Sequence, residues 1–583
     1  MISGSSRSRW VMCETDANLP LMSQVLNISP MIARVMANRN IRSKNMALSF
    51  LQPSIDNLRP FLDMKDAQKA LVRIAKAINT REKITVYGDY DADGITSTVI
   101  LYKVLKRLGA VVSYYIPHRI KEGYGLNKNT ITSLAYSGTR LIIAVDSGIS
   151  AVEEVALAKS LRIDTVIIDH HEQGESLPQA VAIVDPKQHD CPSLFKEMCA
   201  GGLTYKLAAA LCEYMKVPFL EQEESLVLAA IATICDIVPL KDENRIIANC
   251  GMLILNENKL VNPGLGSLIT LRGYLDKPID AFALGFVLGP CINAAGRLDS
   301  ADKAVELMLT GAENVIERMH LTQALIELND QRKQLTADCV KRLLAGLPTK
   351  PDKILVISDT ETHESIAGIV AGRIREATGH PTIVLTRGDD AMKGSGRSSS
   401  CYNMFEGLHA HRHLLTRFGG HAMAAGLTIA EENIPILREA LNRDCTLTKE
   451  DFLPIINIDC ELDLKDVTIQ LADELSRLAP FGSGNYEPVF VSRGIFVENV
   501  RNIEDKNTMI FALKTDTGFR AKGVAFGLNN AYAQAVTETG ADKNGGFHMD
   551  IVYGIETNVY NGNVSVQMRI KDFVIVCKEG KRL

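Results

Sequence analysis

Short apolar runs alternate with longer segments of helical periodicity between residues 84 and 185 of this chain. The apolar runs predict five strands, at 84–88, 111–117, 141–146, 164–169 and 180–185. Helical segments are predicted at 95–108 and 151–161, between successive strands. Strands that alternate with helices in this way form a parallel sheet covered by helices. The pattern therefore predicts an α/β domain in this part of the chain.

A similar but shorter pattern follows a mostly helical stretch. Residues 200–345 read as helical and end in a long polar helix over about 312–344 that could join two domains. A second α/β segment is then predicted from a strand at 353–359, a helix at 366–378 and a strand at 382–386. Glycines at 394–396 and 419–420 are typical of turns.

The last part of the chain changes to strand-like alternation. After residue 457, apolar and polar positions alternate repeatedly, which is typical of an all-β domain. With an amphipathic helix at 66–78, the whole pattern predicts five parts: a helical N-terminal region (1–80), an α/β domain (81–310), a connecting helix (311–348), a smaller α/β domain (349–450) and an all-β domain (455–583).

Composition narrows the class of protein. The 583 residues are 46% hydrophobic and 23% charged, which excludes a mainly disordered chain. The net charge is −5, so any nucleic-acid surface must be a local basic patch. The longest uncharged stretch near the middle of the chain, 281–296, is shorter than the roughly 20 residues a membrane span needs. The cysteines form no CxxC pair and no signal peptide is visible, so we expect reduced thiols and a cytoplasmic protein.

The strongest chemical signal is the sequence GDYDADG at 88–94. It places Asp89, Asp91 and Asp93 at alternate positions, directly after a predicted strand and before a predicted helix. Carboxylates this close repel one another and are typical of a divalent metal site. A calcium-binding EF-hand loop is excluded because its twelfth position, counted from Asp89, would be Ile100 instead of glutamate.

Further acidic residues end other predicted strands. Asp146 ends the strand at 141–146, and Asp169 ends the next strand and precedes His170 and His171. Because ligands gather at the carboxyl ends of parallel strands, these side chains are expected to converge. Asp236 lies in a very apolar segment, where a carboxylate needs a metal or a cation as partner. One such aspartate alone is more often a helix cap; the combination predicts a metal site for Mn²⁺ or Mg²⁺.

These motifs carry a family resemblance. The segments GDYDADG, VDSG, DHH and CDIVP resemble the DHH phosphoesterase superfamily. Three more segments resemble, more specifically, the RecJ family of single-strand-specific 5′ exonucleases: IPHRIKEGYGL (116–126), GPCINAAGRL (289–298) and FGGHAMAAG (418–426). The resemblance extends from about Trp10 to the C-terminus.

The resemblance implies a fold and a metal centre. It implies an α/β fold with a parallel-sheet DHH domain and a smaller α/β DHHA1 domain, joined by a long helix around a groove, and a C-terminal all-β OB-like domain. Two ions, Mn²⁺ or Mg²⁺, would bind at the metal centre, with Asp146 as the ligand that bridges them and His171 beside the scissile phosphate. The implied metal ligands are Asp91, Asp93, Asp146, His170 and Asp236, with Asp89 as a neighbour; together with His171 they are the candidate catalytic residues.

Candidate DNA-binding residues come from four segments. In GSGRS (394–398) glycines allow close approach of the backbone, and Arg397 offers a planar fork for phosphate oxygens. His421 follows two glycines and is predicted to open an alanine-rich helix, whose N-terminus would favour an anion. The resemblance adds further substrate contacts, with Tyr124 stacking a base: Arg119, Tyr124, Leu126, Arg297 and Ser395.

The function implied is a metal-dependent 5′→3′ exonuclease on single-stranded DNA that releases mononucleotides in DNA repair and recombination. A helicase and a single-strand-binding protein are the implied partners, with no membrane. The alternatives are a DHH phosphodiesterase for short oligoribonucleotides or cyclic dinucleotides, a manganese pyrophosphatase, and a non-catalytic scaffold of the same fold. The N-terminal region and the β domain after residue 457 favour the exonuclease.

Overall fold

A computed structural model describes residues 7–388, 391–560 and 563–576. These residues divide into two compact units. The larger unit comprises residues 53–445 and 482–484, and the smaller one comprises the described parts of 1–52, 446–481 and 485–583. In the part of the chain that is described, no helix is both long and apolar enough to cross a membrane.

The helices, in chain order, are α1 Leu19–Leu26, α2 Pro30–Asn38, α3 Lys44–Leu51, α4 Ala67–Asn79, α5 Ala92–Arg107, α6 Lys128–Tyr136, α7 Val152–Ser160, α8 Ala200–Tyr214, α9 Gln222–Cys235, α10 Asp242–Glu257, α11 Pro263–Leu271, α12 Gly289–Leu298, α13 Asp302–Leu309, α14 Val315–Ala345, α15 Ala367–Thr378, α16 Met404–Ala410, α17 Ile434–Asp444, α18 Ile469–Ser476 and α19 Asn529–Thr539.

The strands, in chain order, are β1 Arg9–Met12, β2 Lys83–Tyr87, β3 Val111–Tyr115, β4 Thr139–Val145, β5 Asp164–Ile168, β6 Ala182–Val184, β7 Leu355–Ser358, β8 Thr382–Arg387, β9 Met392–Arg397, β10 Leu415–His421, β11 Ala424–Ile429, β12 Ile455–Ile458, β13 Cys460–Glu461, β14 Phe490–Ile503, β15 Thr508–Lys514, β16 Arg520–Phe526, β17 Phe547–Tyr560 and β18 Asn563–Val576.

The first α/β sheet of the larger unit is fully parallel and has the strand order β3-β2-β4-β5-β6. Its central strands are runs of valine and isoleucine that are buried on both faces, as a parallel sheet covered by helices requires. All five strands and both helices predicted between them are present. The parallel direction brings the carboxyl ends of β2, β4 and β5, and the aspartates that follow them, to one edge of the sheet.

The second sheet of this unit has the order β10-β11-β9-β8-β7, with only β7 and β8 parallel. The glycines at 394–396 and 419–420 lie within β9 and β10, so the prediction of turns there is wrong. In β9, a Cβ on Gly394 would lie 2.6 Å from the side chain of Leu385 on the neighbouring strand, so the glycine leaves room for that leucine.

The helix predicted to begin at His421 is also absent. His421 ends β10, and the alanine-rich segment after it forms β11. The two strands pair as a hairpin in which His421 lies opposite Ala424 and Gly420 opposite Ala425. Pairing with β9 on its other side stabilises β11 as a strand and overrides the helical preference of its alanines.

The long helix predicted from the polar stretch is α14, which has 31 residues. It packs against α12 and α13 at the side of the first sheet and against α15 at the side of the second. Within the larger unit, α14 therefore connects the two α/β parts, as predicted.

The smaller unit is built around a six-stranded sheet of order β13-β14-β15-β16-β18-β17. An additional pairing of β14 with β17 closes this sheet on itself, which is the arrangement of a small barrel. The region predicted to be all-β also contains two helices, α18 and α19. Tyr532 of α19 packs against Phe511 and Phe573 of the sheet. Helices α1–α3 contribute to the same apolar core.

Candidate active site

The end of β2 and the start of α5 position the first three aspartates of the site: Asp89 and Asp91 lie in the connecting loop, and Asp93 lies in the first turn of α5. Asp91 caps the N-terminus of α5, because its Oδ1 accepts hydrogen bonds from the N–H groups of Asp93 (2.9 Å) and Gly94 (3.1 Å). The turn is tight: a Cβ on Gly94 would lie 2.6 Å from backbone atoms of Asp89. The side-chain oxygen of Asn293 on α12 accepts a hydrogen bond from the N–H of Ala92 at 2.7 Å and fixes the start of the helix.

Asp93 is buried and faces the N-terminus of another helix. Its two oxygens accept hydrogen bonds from the N–H groups of Ala200 (2.9 Å) and Gly201 (2.6 Å) at the start of α8. Free N–H groups at a helix N-terminus stabilise a negative charge. This contact keeps Asp93 aimed at the centre of the site although it lies among apolar neighbours.

Asp146 follows β4 in a left-handed backbone conformation, with φ of 61°. This conformation is uncommon for residues other than glycine, and such strain is concentrated at functional sites. It brings Oδ1 of Asp146 to 3.1 Å from Nε2 of His170. The same nitrogen lies 3.5 Å from Asp93 and 3.8 Å from Asp236. The structure therefore brings four predicted ligands from four different segments together.

Candidate metal-binding atoms form three overlapping groups in the described part of the chain. In each group the candidate atoms lie within 4.8 Å of one another: Asp89, Asp91 and Asp146; Asp93, His170 and Asp236; Asp146, His170 and His171. Asp146 and His170 each belong to two of the groups, so the three groups form one continuous cluster. Oδ1 of Asp89 is buried and has no hydrogen-bond partner among the described residues, as is typical of an oxygen that binds a cation.

The carboxylates perturb one another strongly. Burial, followed by repulsion from Asp91, raises the pKa of Asp93 to about 7. Burial, followed by repulsion from Asp93, raises the pKa of Asp236 to about 8. Burial and neighbouring carboxylates also raise the pKa values of Asp89 and Asp146 well above the ordinary range. Divalent cations relieve such repulsion, and carboxylates with one imidazole fit Mn²⁺ or Mg²⁺.

His171 is held by Asp169, which sequence reasoning placed at a strand end but left out of the site. Nδ1 of His171 lies 2.7 Å from Oδ1 of Asp169. Burial alone would lower the pKa of His171, but this carboxylate outweighs burial and raises it to about 9. Asp169 also accepts hydrogen bonds from the N–H groups of Ile149 and His170. The aspartate of the DHH segment therefore fixes the orientation and the charge of the second histidine.

These shifts predict a stability that falls with rising pH in the protein stripped of metal. The raised pKa values of Asp93 and Asp236 mean that the folded state still binds protons that the unfolded state has already lost. The free energy of unfolding therefore falls as pH rises, until both groups have ionised in the folded state at about pH 7 to 8. The contribution of protonated His171 is likewise lost between its unfolded value of 6.5 and about 9.

Thermal melting in excess chelator, at about pH 6.5 and about pH 9, measures this effect. We expect a lower melting temperature at the higher pH, and a smaller difference after Mn²⁺ is added, because the cation stabilises the ionised carboxylates. A melting temperature in chelator that rises over this interval would contradict the description of the cluster.

A groove runs beside the acidic cluster within the larger unit. It is lined from the first α/β part by Tyr90, Arg119, Gly123 and Tyr124, and from the second by Glu364, Lys393, Ser395, Arg417 and Phe418 among others. The guanidinium of Arg119 lies over the ring of Tyr90, 4.7 Å from its centroid. The hydroxyl of Tyr124 donates to the backbone oxygen of Asp146 at 2.9 Å, which connects the groove directly to the metal-binding residues.

Two further arginines lie near Arg119. Burial, followed by the charge of Arg119, lowers the pKa of Arg297 to about 10 and also lowers that of Arg397. Arg297 donates to the backbone oxygen of Ser365 at 2.9 Å, and Arg397 to that of Gly396 at 2.8 Å. In the described chain, none of the three arginines forms a salt bridge to a carboxylate. Guanidinium groups that lie close together without a carboxylate partner are typical of phosphate-binding sites.

Two of the residues predicted to contact DNA, Leu126 and His421, do not line the groove. Leu126 is only 8% exposed and packs in a core cluster with Ile131 and Ile142, so the structure gives it a packing role instead of a surface contact. His421 is exposed at the end of β10 but does not line the groove. Tyr90 and Phe418 line it and were missed: both lie within quoted motifs, but their rings carried no signal separate from the aspartates and glycines of those motifs.

Comparison with known families gives three matches that cover most of the chain. Residues 83–233 match the DHH family, N-terminal domain; residues 352–446 match the DHHA1 domain; residues 458–572 match the RecJ OB domain. The three domain types predicted from the resemblance are confirmed, including the OB-like domain.

Curated relatives align over nearly the whole chain. The chain is similar to the single-stranded-DNA-specific exonuclease RecJ of Bacillus subtilis, with 35% identity over 98% of this chain and 71% of the relative. It is also similar to the RecJ exonucleases of Escherichia coli (29% identity, 93% and 95% covered) and Thermus thermophilus (31%, 84% and 69%).

Solved structures of RecJ proteins share the fold of this chain. RecJ from Thermus thermophilus in complex with Mn²⁺ superimposes with a TM-score of 0.83 at 27% identity, over 98% of this chain and 80% of that one. An exonuclease RecJ bound to manganese matches with a TM-score of 0.58 at 31% identity, over 68% and 98% of the two chains. The fold prediction is confirmed over nearly the full length.

Proposed function

Since the chain belongs to the RecJ family of single-stranded-DNA-specific exonucleases, we propose that it degrades single-stranded DNA from the 5′ end and releases mononucleotides. The observation that carries this proposal is the position of the groove. Arg119 and Tyr124 line it, and the hydroxyl of Tyr124 contacts the acidic cluster at Asp146. The half-buried guanidinium groups of Arg297 and Arg397 lie behind it, close enough for the charge of Arg119 to lower their pKa values. A phosphodiester held by the arginines would therefore lie next to the metal-binding atoms.

The proposed metal centre takes two ions, Mn²⁺ or Mg²⁺. Asp146 would bridge them, with Asp89 and Asp91 on one side and Asp93, His170 and Asp236 on the other. Two such ions offset the charge of the phosphate oxygens and lower the pKa of a bound water molecule. The carboxylates keep their geometry through the cap at Asp91 and the N–H groups that hold Asp93.

The other residues have proposed roles in binding and proton transfer. Protonated His171, oriented by Asp169, lies next to the bridging carboxylate and can donate a hydrogen bond to a phosphate or leaving oxygen. Arg119, Arg297 and Arg397 hold phosphate, with Ser395 beside them, and the half-exposed ring of Tyr124 stacks a base. Contacts of this kind do not read sequence. We therefore propose similar rates on all sequences.

We place the activity in DNA repair and recombination in the cytoplasm. A nuclease limited to single strands depends on other proteins for its substrate, because duplex DNA must first be unwound. A helicase and a single-strand-binding protein are therefore the proposed partners.

A substrate comparison tests this function. We expect rapid digestion of a long 5′-phosphorylated single strand with Mn²⁺, with mononucleotides as products, and no digestion in excess chelator. Blunt duplex of the same sequence should be cut at least about 10²-fold more slowly, because the groove contacts of one strand cannot form on a paired one. Faster cleavage of dinucleotides than of long strands would favour the oligoribonucleotide phosphodiesterase instead.

A further inference from the structure

The loop between β3 and α6 carries two of the groove residues but has little packing of its own on that side. Arg119 and Tyr124 extend from it into the groove, and Tyr124 is 51% exposed. Gly123 and Gly125 adopt positive φ angles of 84° and 85°, with open space where a Cβ would lie. Glycines in open space do not fix a loop, because they permit many conformations. Another group must therefore hold its shape.

Glu122 occupies the centre of this loop and faces away from the groove. One oxygen of its carboxylate accepts a hydrogen bond from the hydroxyl of Tyr115 at 2.7 Å and from that of Thr130 at 3.0 Å. The other accepts one from the N–H of His118 at 2.9 Å. Tyr115 is the last residue of β3 and Thr130 lies in the first turn of α6. A single carboxylate thus ties both ends of the loop to its middle.

The loop backbone supports the same arrangement. The N–H of Glu122 donates to the backbone oxygen of His118 at 2.9 Å, which closes a turn around Arg119. The hydroxyl of Tyr87 donates to the oxygen of Gly125 at 3.3 Å on the other side of Tyr124. Burial would raise the pKa of Glu122, but the bonds from His118, Tyr115 and Thr130 outweigh it and lower the pKa. The carboxylate is therefore ionised under working conditions.

An anionic side chain this close to the proposed phosphate-binding groove weakens substrate binding, because it repels the phosphate charge. Its presence is explained if the carboxylate has a structural role that offsets this repulsion. Glu122 does not line the groove, and its three donors all come from the loop and its two anchors. We propose that Glu122 is a positioning residue that holds the 116–127 loop in the form that presents Arg119 and Tyr124 to the DNA backbone. This inference rests on the proposed function.

The test is Glu122→Gln, which keeps the size of the side chain but removes its charge and one of its acceptors. We expect KM for single-stranded DNA to rise about 10-fold with kcat changed less than about 3-fold, since the groove residues bind the strand but do not react. Manganese content should be unchanged. The matched control is Glu213→Gln, an exposed glutamate near the end of α8 in the same unit and away from this loop, which should leave both constants unaltered.

A second variant separates positioning from general loss of stability. Tyr115→Phe removes one donor to Glu122 and should raise KM in the same direction but less. Adding Glu122→Gln to the double variant Arg119→Ala/Tyr124→Ala should raise KM by no more than about 2-fold, because both residues through which Glu122 acts are already gone. A wild-type enzyme that cleaves single strands, together with an unchanged KM in Glu122→Gln or full additivity with that double variant, would overturn the inference. A wild-type enzyme that fails to cleave would overturn the proposed function itself.

Discussion

Asp146→Ala should reduce the rate of cleavage by about 10³-fold or more while the protein stays folded. The carboxylate of Asp146 lies in one candidate group with Asp89 and Asp91, and its Oδ1 lies 3.1 Å from His170 of the group with Asp93 and Asp236. Its loss would therefore remove a proposed ligand shared by both ions. Removing one group that stabilises developing charge already costs on the order of 10²–10³-fold in an enzyme. Steady-state rates on an end-labelled single strand, with a melting curve of each protein, measure the effect.

Asp146→Asn is the sharper version of the same experiment. Asparagine tolerates the left-handed backbone at this position, where φ is 61°, so the variant changes the charge and little of the geometry. It should lose activity almost as completely as the alanine variant. Asp276→Ala, an exposed aspartate of the same unit, is the matched control and should keep normal activity. Near-normal cleavage by either Asp146 variant would exclude a bridging role.

Arg397→Ala should lower kcat/KM by about 10- to 100-fold without loss of bound manganese. A charge-assisted hydrogen bond to phosphate contributes about 1.5–3 kcal/mol, which corresponds to this range. Arg397→Lys should recover only part of the loss, because an ammonium group cannot replace the two parallel bonds of a guanidinium.

The control for this prediction is Arg412→Ala. Arg412 is an exposed arginine in the same α/β part, outside the groove, and its loss should leave kcat/KM unchanged. Measuring the bound manganese shows whether a loss of activity in Arg397→Ala comes from loss of metal or from loss of phosphate binding. If Arg397→Ala loses metal in proportion to its activity, Arg397 supports the metal centre and does not bind the phosphate.

The sequence predicted the metal-binding edge of the sheet better than the opposite wall of the groove. Asp89, Asp91 and Asp93 follow a strand that is apolar on both faces, and the direction of parallel strands alone brings them to the end that carries Asp146. The β10–β11 hairpin depends on pairing with β9, a contact distant in sequence. Its alanines and glycines therefore suggested a helix after His421 and turns at 419–420, and both were wrong.

Local pattern also could not identify the residues that act through others. Asp169 was visible as the end of a strand, but its contact with His171 depends on the bend of the chain after β5. Leu126 stands in a segment that resembles a DNA-contacting loop, yet it packs into the core beneath that loop. Burial of a single residue within a motif is decided by tertiary packing, which the motif does not contain.

The most direct test of the central claim is anomalous scattering from a crystal of this protein grown with Mn²⁺. The structure predicts two manganese peaks at the carboxyl ends of β2, β4 and β5, both within about 2.0–2.6 Å of an oxygen of Asp146. Asp93, His170 and Asp236 should complete one site, and Asp89 or Asp91 the other. A single peak, or two peaks that do not share Asp146, would contradict the proposed two-metal centre.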